Sequence, residues 1–188
     1  MASVDEPFGS IWIINPDLLT KRISEQEGLE GHAANLASVE RIERWLYASI
    51  DAHQAIGVET VLSTPKYRKL VEQARARGFS INLIYVYLDS PELNVTRVRT
   101  RVRKGGHDVP EDKIRSRRLR SFREFGWFFA HADRVDVYDN SGGTPRRVLA
   151  KRDLTVMSWG RMPNEMIDSV DAEDPGFRSI YDEDDGEN

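Results

Sequence analysis

No cysteine occurs in the 188 residues. That excludes a disulfide framework, a thiolate zinc site and a cysteine nucleophile, and it fits a reducing cytoplasm. Long apolar runs are missing too, since none approaches the ~20 residues that span a bilayer. The opening MASVDEPFGS has neither the basic region nor the apolar core of a signal peptide. The expected location is therefore the cytoplasm, with no membrane partner. Four scattered histidines offer no ligand spacing, so no metal site is expected from the protein's own residues. Internal repeats are absent. So is any G-x-x-x-x-G-K-[ST] loop: GLEGHAAN and SGGTPRR both lack the Gly-Lys-Ser/Thr ending.

What is present is a polar chain, 39% hydrophobic and 31% charged, long enough for one domain with a sizeable core. Its net charge of −4 hides two blocks. Arg97 to Arg123 holds eleven Lys/Arg against three acids, and Glu165 to Asn188 holds ten acids against Arg178 alone. The first block suits phosphates. The second reads as a solvated tail, so residues 1–159 are expected to form the domain and 160–188 an acidic, unstructured end.

Along the chain, strands alternate with helices. IWIIN reads as a short buried strand, with Pro16 at the first turn of the helix that follows. Leu36, Val39, Ile42, Trp45, Leu46 and Ile50 recur at helical spacing and predict an amphipathic helix over about 32–54. GVETVLS is a strand, and TPKYRKLVEQARARG a helix with Thr64 as cap and Gly78 as stop. SINLIYVYL is a strand, and SPELNVTRVRTRV a Ser-capped helix. GGHDVP breaks it before a basic helix over about 110–131, and RVDVYDN is the last clear strand. This pattern predicts an α/β fold with a mostly parallel sheet and helices on both faces. Three strands run into polar residues at their C-terminal ends: Asp17; Glu59 with Ser63; and Asp139 with Asn140 and Ser141. Ligands bind at that edge of such a sheet.

Taken together, INPDLL, VETVLS, RVRTRVRKGGHDVPEDKIRSRRLRS and VYDNSGG resemble the zeta toxin-like family of P-loop kinases, in order from about Ile11 to Gly142. The resemblance implies a P-loop NTPase-like sheet whose central first strand and Walker A loop are missing from these residues. It also implies ATP and magnesium as cofactors, and transfer of a phosphoryl group to a small-molecule hydroxyl, a nucleotide sugar being one candidate. With no phosphate cradle, very weak or no ATP turnover is expected. A reading frame beginning roughly 30 residues upstream, about one strand–loop–helix unit, is one explanation, and a true P-loop-less relative the other. An antitoxin-like partner follows by analogy alone.

The resemblance also assigns roles. Asp17 aligns with the base that accepts the hydroxyl proton; without the resemblance it reads first as a first-turn acid facing the helix dipole. Glu59 aligns with a substrate- or metal-site acid, with Thr60 and Ser63 as nearby donors. Arg97, Arg101, Arg103, Lys104, Arg117 and Arg120 resemble a phosphate-holding lid, hinged at Gly105 and Gly106; Arg117 and Arg120 are its expected catalytic members. His107 is a candidate lid or substrate contact. Asp139 and Asn140 fall on the adenine side, and a simple turn is their alternative. Trp127, Phe128 and Phe129 beside the basic helix suggest base stacking, but their periodicity favours the core, and with the acidic tail and negative net charge nucleic acid is not an expected partner.

Overall fold

A computed structural model describes residues 3–4, 11–106 and 108–184. The chain divides into two compact units, Met1–Val61 and Leu62–Asn188.

In the first unit, β1 (Ser3–Val4), β2 (Ile11–Ile14) and β3 (Ile56–Val58) form a three-stranded sheet in that order. β1 runs antiparallel to β2, and β2 parallel to β3. Two helices connect β2 to β3: α1 (Pro16–Glu27) and α2 (Gly31–Asp51). Asn15 starts α1, its side-chain oxygen accepting from the amides of Asp17 and Leu18, with Pro16 at the position where a missing N–H costs nothing. Buried Ser38 donates to the Pro16 carbonyl, and Arg41 pairs with Glu27, fastening α2 to α1. The buried face of α2 is Ala34, Ser38, Ile42, Leu46 and Ile50, whereas Leu36 and Val39 are exposed. The predicted stripe was right for its C-terminal half only. In the N-terminal half of α2 the inward positions are the small Ala34 and Ser38, which places the larger Leu36 and Val39 outside.

The second unit begins with a 3-10 turn (Pro65–Tyr67) running into α3 (Arg68–Ala76). Thr64 makes no side-chain cap there, contrary to expectation. β4 (Asn82–Tyr87), β5 (Arg134–Asp139), β6 (Arg146–Arg152) and β7 (Thr155–Ser158) form a four-stranded sheet in sequence order. Only β4 and β5 are parallel; β5–β6 and β6–β7 are antiparallel hairpins. Between β4 and β5 come α4 (Pro91–Arg103) and α5 (Glu111–His131). The fold is thus mixed α/β, but with two sheets instead of one mostly parallel sheet. β3 lies at an edge of the first sheet and β4 at an edge of the second.

The unstructured end expected from residue 160 is corrected for most of its length. α6 (Asn164–Asp171) and α7 (Phe177–Asp184) bury Met166, Ile167, Val170, Phe177 and Tyr181 beside Phe125, Phe129, Val135, Val137 and Leu149. The Tyr181 hydroxyl accepts from the Met162 amide and donates to the Gly160 carbonyl. Apolar residues at helical spacing outweigh the acids, of which Glu165, Asp168, Glu173 and Asp174 are exposed. Trp127, Phe128 and Phe129 lie in this core, as their periodicity predicted.

The buried Tyr85 hydroxyl shares a hydrogen bond with Ser121. Burial pushes its pKa up to about 12, against the opposing effect of that bond. Tyr87 is raised as well, first by burial and then by Asp139. A raised folded-state pKa keeps its stabilising effect below the unfolded value of about 10 and loses it as pH climbs toward the folded value. Urea unfolding should therefore show stability falling above about pH 10, by about 1.4 kcal/mol per pH unit for Tyr85 alone. Tyr85→Phe should flatten that slope. An unchanged slope would contradict the assignment.

Candidate functional site

Two clusters gather at strand ends, one in each unit. In the first, the carboxylate of Glu59, just past β3, accepts a 2.7 Å hydrogen bond from the Asn15 side-chain amide, just past β2. The Glu59 amide also donates to the Ile14 carbonyl at 2.9 Å, so the parallel pairing continues one residue beyond the strands. Asn15 thereby joins the candidate base to the candidate acid, since its oxygen holds the Asp17 amide while its nitrogen holds Glu59. Both carboxylates are exposed and open to a ligand. Asn15 escaped the sequence reading, although Asn before Pro at a helix start is a cap signal. Thr60 is exposed beside Glu59, and Ser63 lies in the second unit, half-buried.

The second cluster sits where β4 and β5 end. The Asn140 amide donates to the Tyr87 carbonyl at 2.9 Å, extending that pairing. Asp139 accepts from the Ser141 amide, and the Ser141 hydroxyl is shared with the Asp89 amide. Arg97, from α4, donates to the Asn140 carbonyl. Arg97, Asp139 and Asn140 are therefore brought together, in a polar turn closing the sheet edge.

From Arg97 an open groove of about 590 Å³ follows α4 to its end, lined by Arg97, Thr100, Arg101, Lys104, Gly105 and Gly106. The helix stops because Gly105 adopts φ +88, and the Gly105 and Gly106 amides return to the Val102 and Arg101 carbonyls. A Cβ on Gly106 would stand 2.7 Å from Cγ of Arg101. The two glycines thus shape the groove end. Cations here also suit the negative end of the helix. Arg103 does not line the groove itself but donates to the hydroxyl of Thr100, which does. His107 lies outside the described residues.

The α5 arginines differ from expectation. Arg117 and Arg120 are exposed; the buried one is Arg118, between them. Its guanidinium donates to the carbonyls of Leu88 (3.2 Å) and Asp89 (2.7 Å), lies over the Phe122 ring, and stands 3.9 Å from Glu165 of α6. Arg118 thus clamps the loop between β4 and α4, next to the Asp89–Ser141 bond. Four neighbouring arginines gave no sequence signal to separate it from the rest. The signal lay in its alignment with Ile114, Phe122 and Phe125 on the core face.

Among the described residues, no three His, Asp or Glu side chains come together to hold a metal. No described helix is long and apolar enough to cross a membrane.

No family model matches the chain, and no solved structure matches it. It is 30% identical over 69 residues to an uncharacterized protein of Haemophilus influenzae, a match covering 37% of this chain and 49% of that protein. The chain thus spans about half the length of the relative it matches.

Proposed function

We propose that the chain is a zeta toxin-like phosphotransferase unit acting on a small-molecule hydroxyl, with α4 and α5 as a lid over phosphate groups. The observation that carries this reading is the Arg97–Asn140 bond, which ties a cation-lined groove to the end of β5. Spread negative charge on a transferring phosphoryl group is what such cations stabilise. In the transfer, the hydroxyl oxygen attacks the γ-phosphorus, the bond to the β–γ bridging oxygen breaks, and ADP leaves. Asp17 takes the hydroxyl proton, held in place by the Asn15 cap. Glu59, tethered to the same asparagine, contacts the acceptor molecule. ATP and magnesium belong to this reading through the family resemblance. The sequence contains no Walker A loop, so the 188 residues are expected to turn over ATP very weakly or not at all.

A phosphoryl-transfer assay with labelled ATP, magnesium and nucleotide-sugar acceptors tests this. Residual transfer that Asp17→Asn abolishes supports the assignment; residual transfer unchanged by Asp17→Asn overturns it. If no transfer occurs but a phosphorylated ligand binds the lid, the second reading holds: a binding module of the same origin.

A further inference from the structure

The cationic groove along α4 has an acidic counterpart in the same unit, at the end of α7. Asp182, Glu183, Asp184, Asp185 and Glu187 follow one another closely, and no Lys or Arg comes after Arg178. The first three belong to the last turn of α7, which holds no basic residue. Acids are disfavoured at a helix C-terminus, where the backbone carbonyls already set a negative end, so this turn gains from an outside cation. Packing fixes where the acidic run starts. Tyr181, the residue before it, is buried, and its hydroxyl donates to the Gly160 carbonyl at 2.8 Å. The neighbouring Arg161 carbonyl accepts from the Tyr87 hydroxyl at 3.2 Å. Tyr87 closes β4, its carbonyl accepts from the Asn140 amide, and the Asn140 carbonyl accepts from Arg97 at the head of the groove. A short bonded chain thus links the start of the acidic run to the start of the groove. The groove also keeps its charge. Arg99 and Arg115 are paired with Glu111, and Arg115 with Glu92 as well. By contrast, Arg97 donates to an uncharged carbonyl, and neither it nor Lys104 pairs with a carboxylate among the described residues.

We propose that the acidic run Asp182–Glu187 docks in the α4 groove of its own chain, an autoinhibitory contact in which carboxylates take the place of a ligand's phosphates. The lengths match: Arg97 to Lys104 covers about 10 Å of helix, and Asp185 to Glu187 reaches about 10 Å when extended. A tethered run meets the groove at an effective concentration of about a millimolar, so even weak intrinsic affinity shields the site. The contact itself is independent of phosphoryl transfer; its inhibitory effect rests on the reading of the groove as a phosphate holder.

Because the chain has no cysteine, Asn188→Cys carries a single spin label on the full chain. Paramagnetic broadening is expected at the Thr100, Lys104, Gly105 and Gly106 amides. It should fade at about 1 M salt, where charges are screened beyond about 3 Å. It should also fade in the Arg101→Ala, Lys104→Ala variant. The triple change Lys113→Ala, Arg117→Ala, Arg120→Ala, on the exposed side of α5, should leave it unaltered. Neutralising the run (Asp182→Asn, Glu183→Gln, Asp184→Asn, Asp185→Asn, Glu187→Gln) should tighten pyrophosphate binding at least about threefold. That gain should vanish in the Arg101→Ala, Lys104→Ala background. No broadening along α4, or broadening indifferent to the groove variant, would overturn the proposal. So would broadening seen only between separate copies, or equal pyrophosphate affinity with and without the acids. Broadening in a chain that binds no pyrophosphate would support the docking and count against the phosphate-holding groove instead.

Discussion

Gly126→Ala is expected to cost about 3 kcal/mol or more and to lower the melting temperature by about 6–12 °C. A Cβ at this position would stand 2.0 Å from the carbonyl oxygen of Ser169 and 2.5 Å from its carbon. Those are backbone atoms of α6, so no side-chain rotation relieves the overlap; the helix must move. Moving it opens the contact that buries Met166, Ile167 and Val170 against α5. The sign of the effect is informative. In an undocked helix, alanine is better than glycine by about 1 kcal/mol, so stabilisation in thermal or urea unfolding would contradict the docking of α6.

Arg118→Ala is the second large effect, at about 3 kcal/mol. It removes the donors to the Leu88 and Asp89 carbonyls and the cation over Phe122. Lysine should recover only part of the loss, because a single ammonium does not reproduce a planar fork. Hydrogen exchange gives a second readout: the Asp89 amide, bound to Ser141, should exchange faster in Arg118→Ala. Arg117→Ala and Arg120→Ala, both exposed, should stay within about 0.5 kcal/mol of the parent. Equal costs at all three arginines would contradict the separation of one structural clamp from two surface cations.

The strand ends were legible in the sequence because apolar runs stop abruptly at polar residues. Asp17, Glu59, Asp139 and Asn140 all lie just past or at the ends of β2, β3 and β5, as read. Helices with a Ser or Gly signal were also legible: Ser90 caps α4 through its hydroxyl, and Gly78 takes φ +82 after α3. Less was legible where composition and periodicity disagreed. From Met162 to Tyr181 the apolar residues recur at helical spacing, but the many acids suggested solvent. Arg118 was hidden among like neighbours, because a basic run does not reveal which member turns inward. The antiparallel hairpin of β6 and β7 was hidden because RVDVYDN read as the last clear strand, with no strand expected after it. Pairing between strands is a tertiary property, and a one-dimensional alternation of strands and helices does not fix it.

The lid assignment is tested most directly by calorimetric titration of the chain with uridine diphosphate, compared with the Arg101→Ala, Lys104→Ala double variant. The account predicts saturable binding to the parent chain, weakened at least about tenfold in the variant, as expected for loss of charge-assisted bonds to phosphate. The same chain titrated with Mg-ATP should show no micromolar binding. Equal diphosphate affinity in parent and variant, or micromolar Mg-ATP binding, would contradict it.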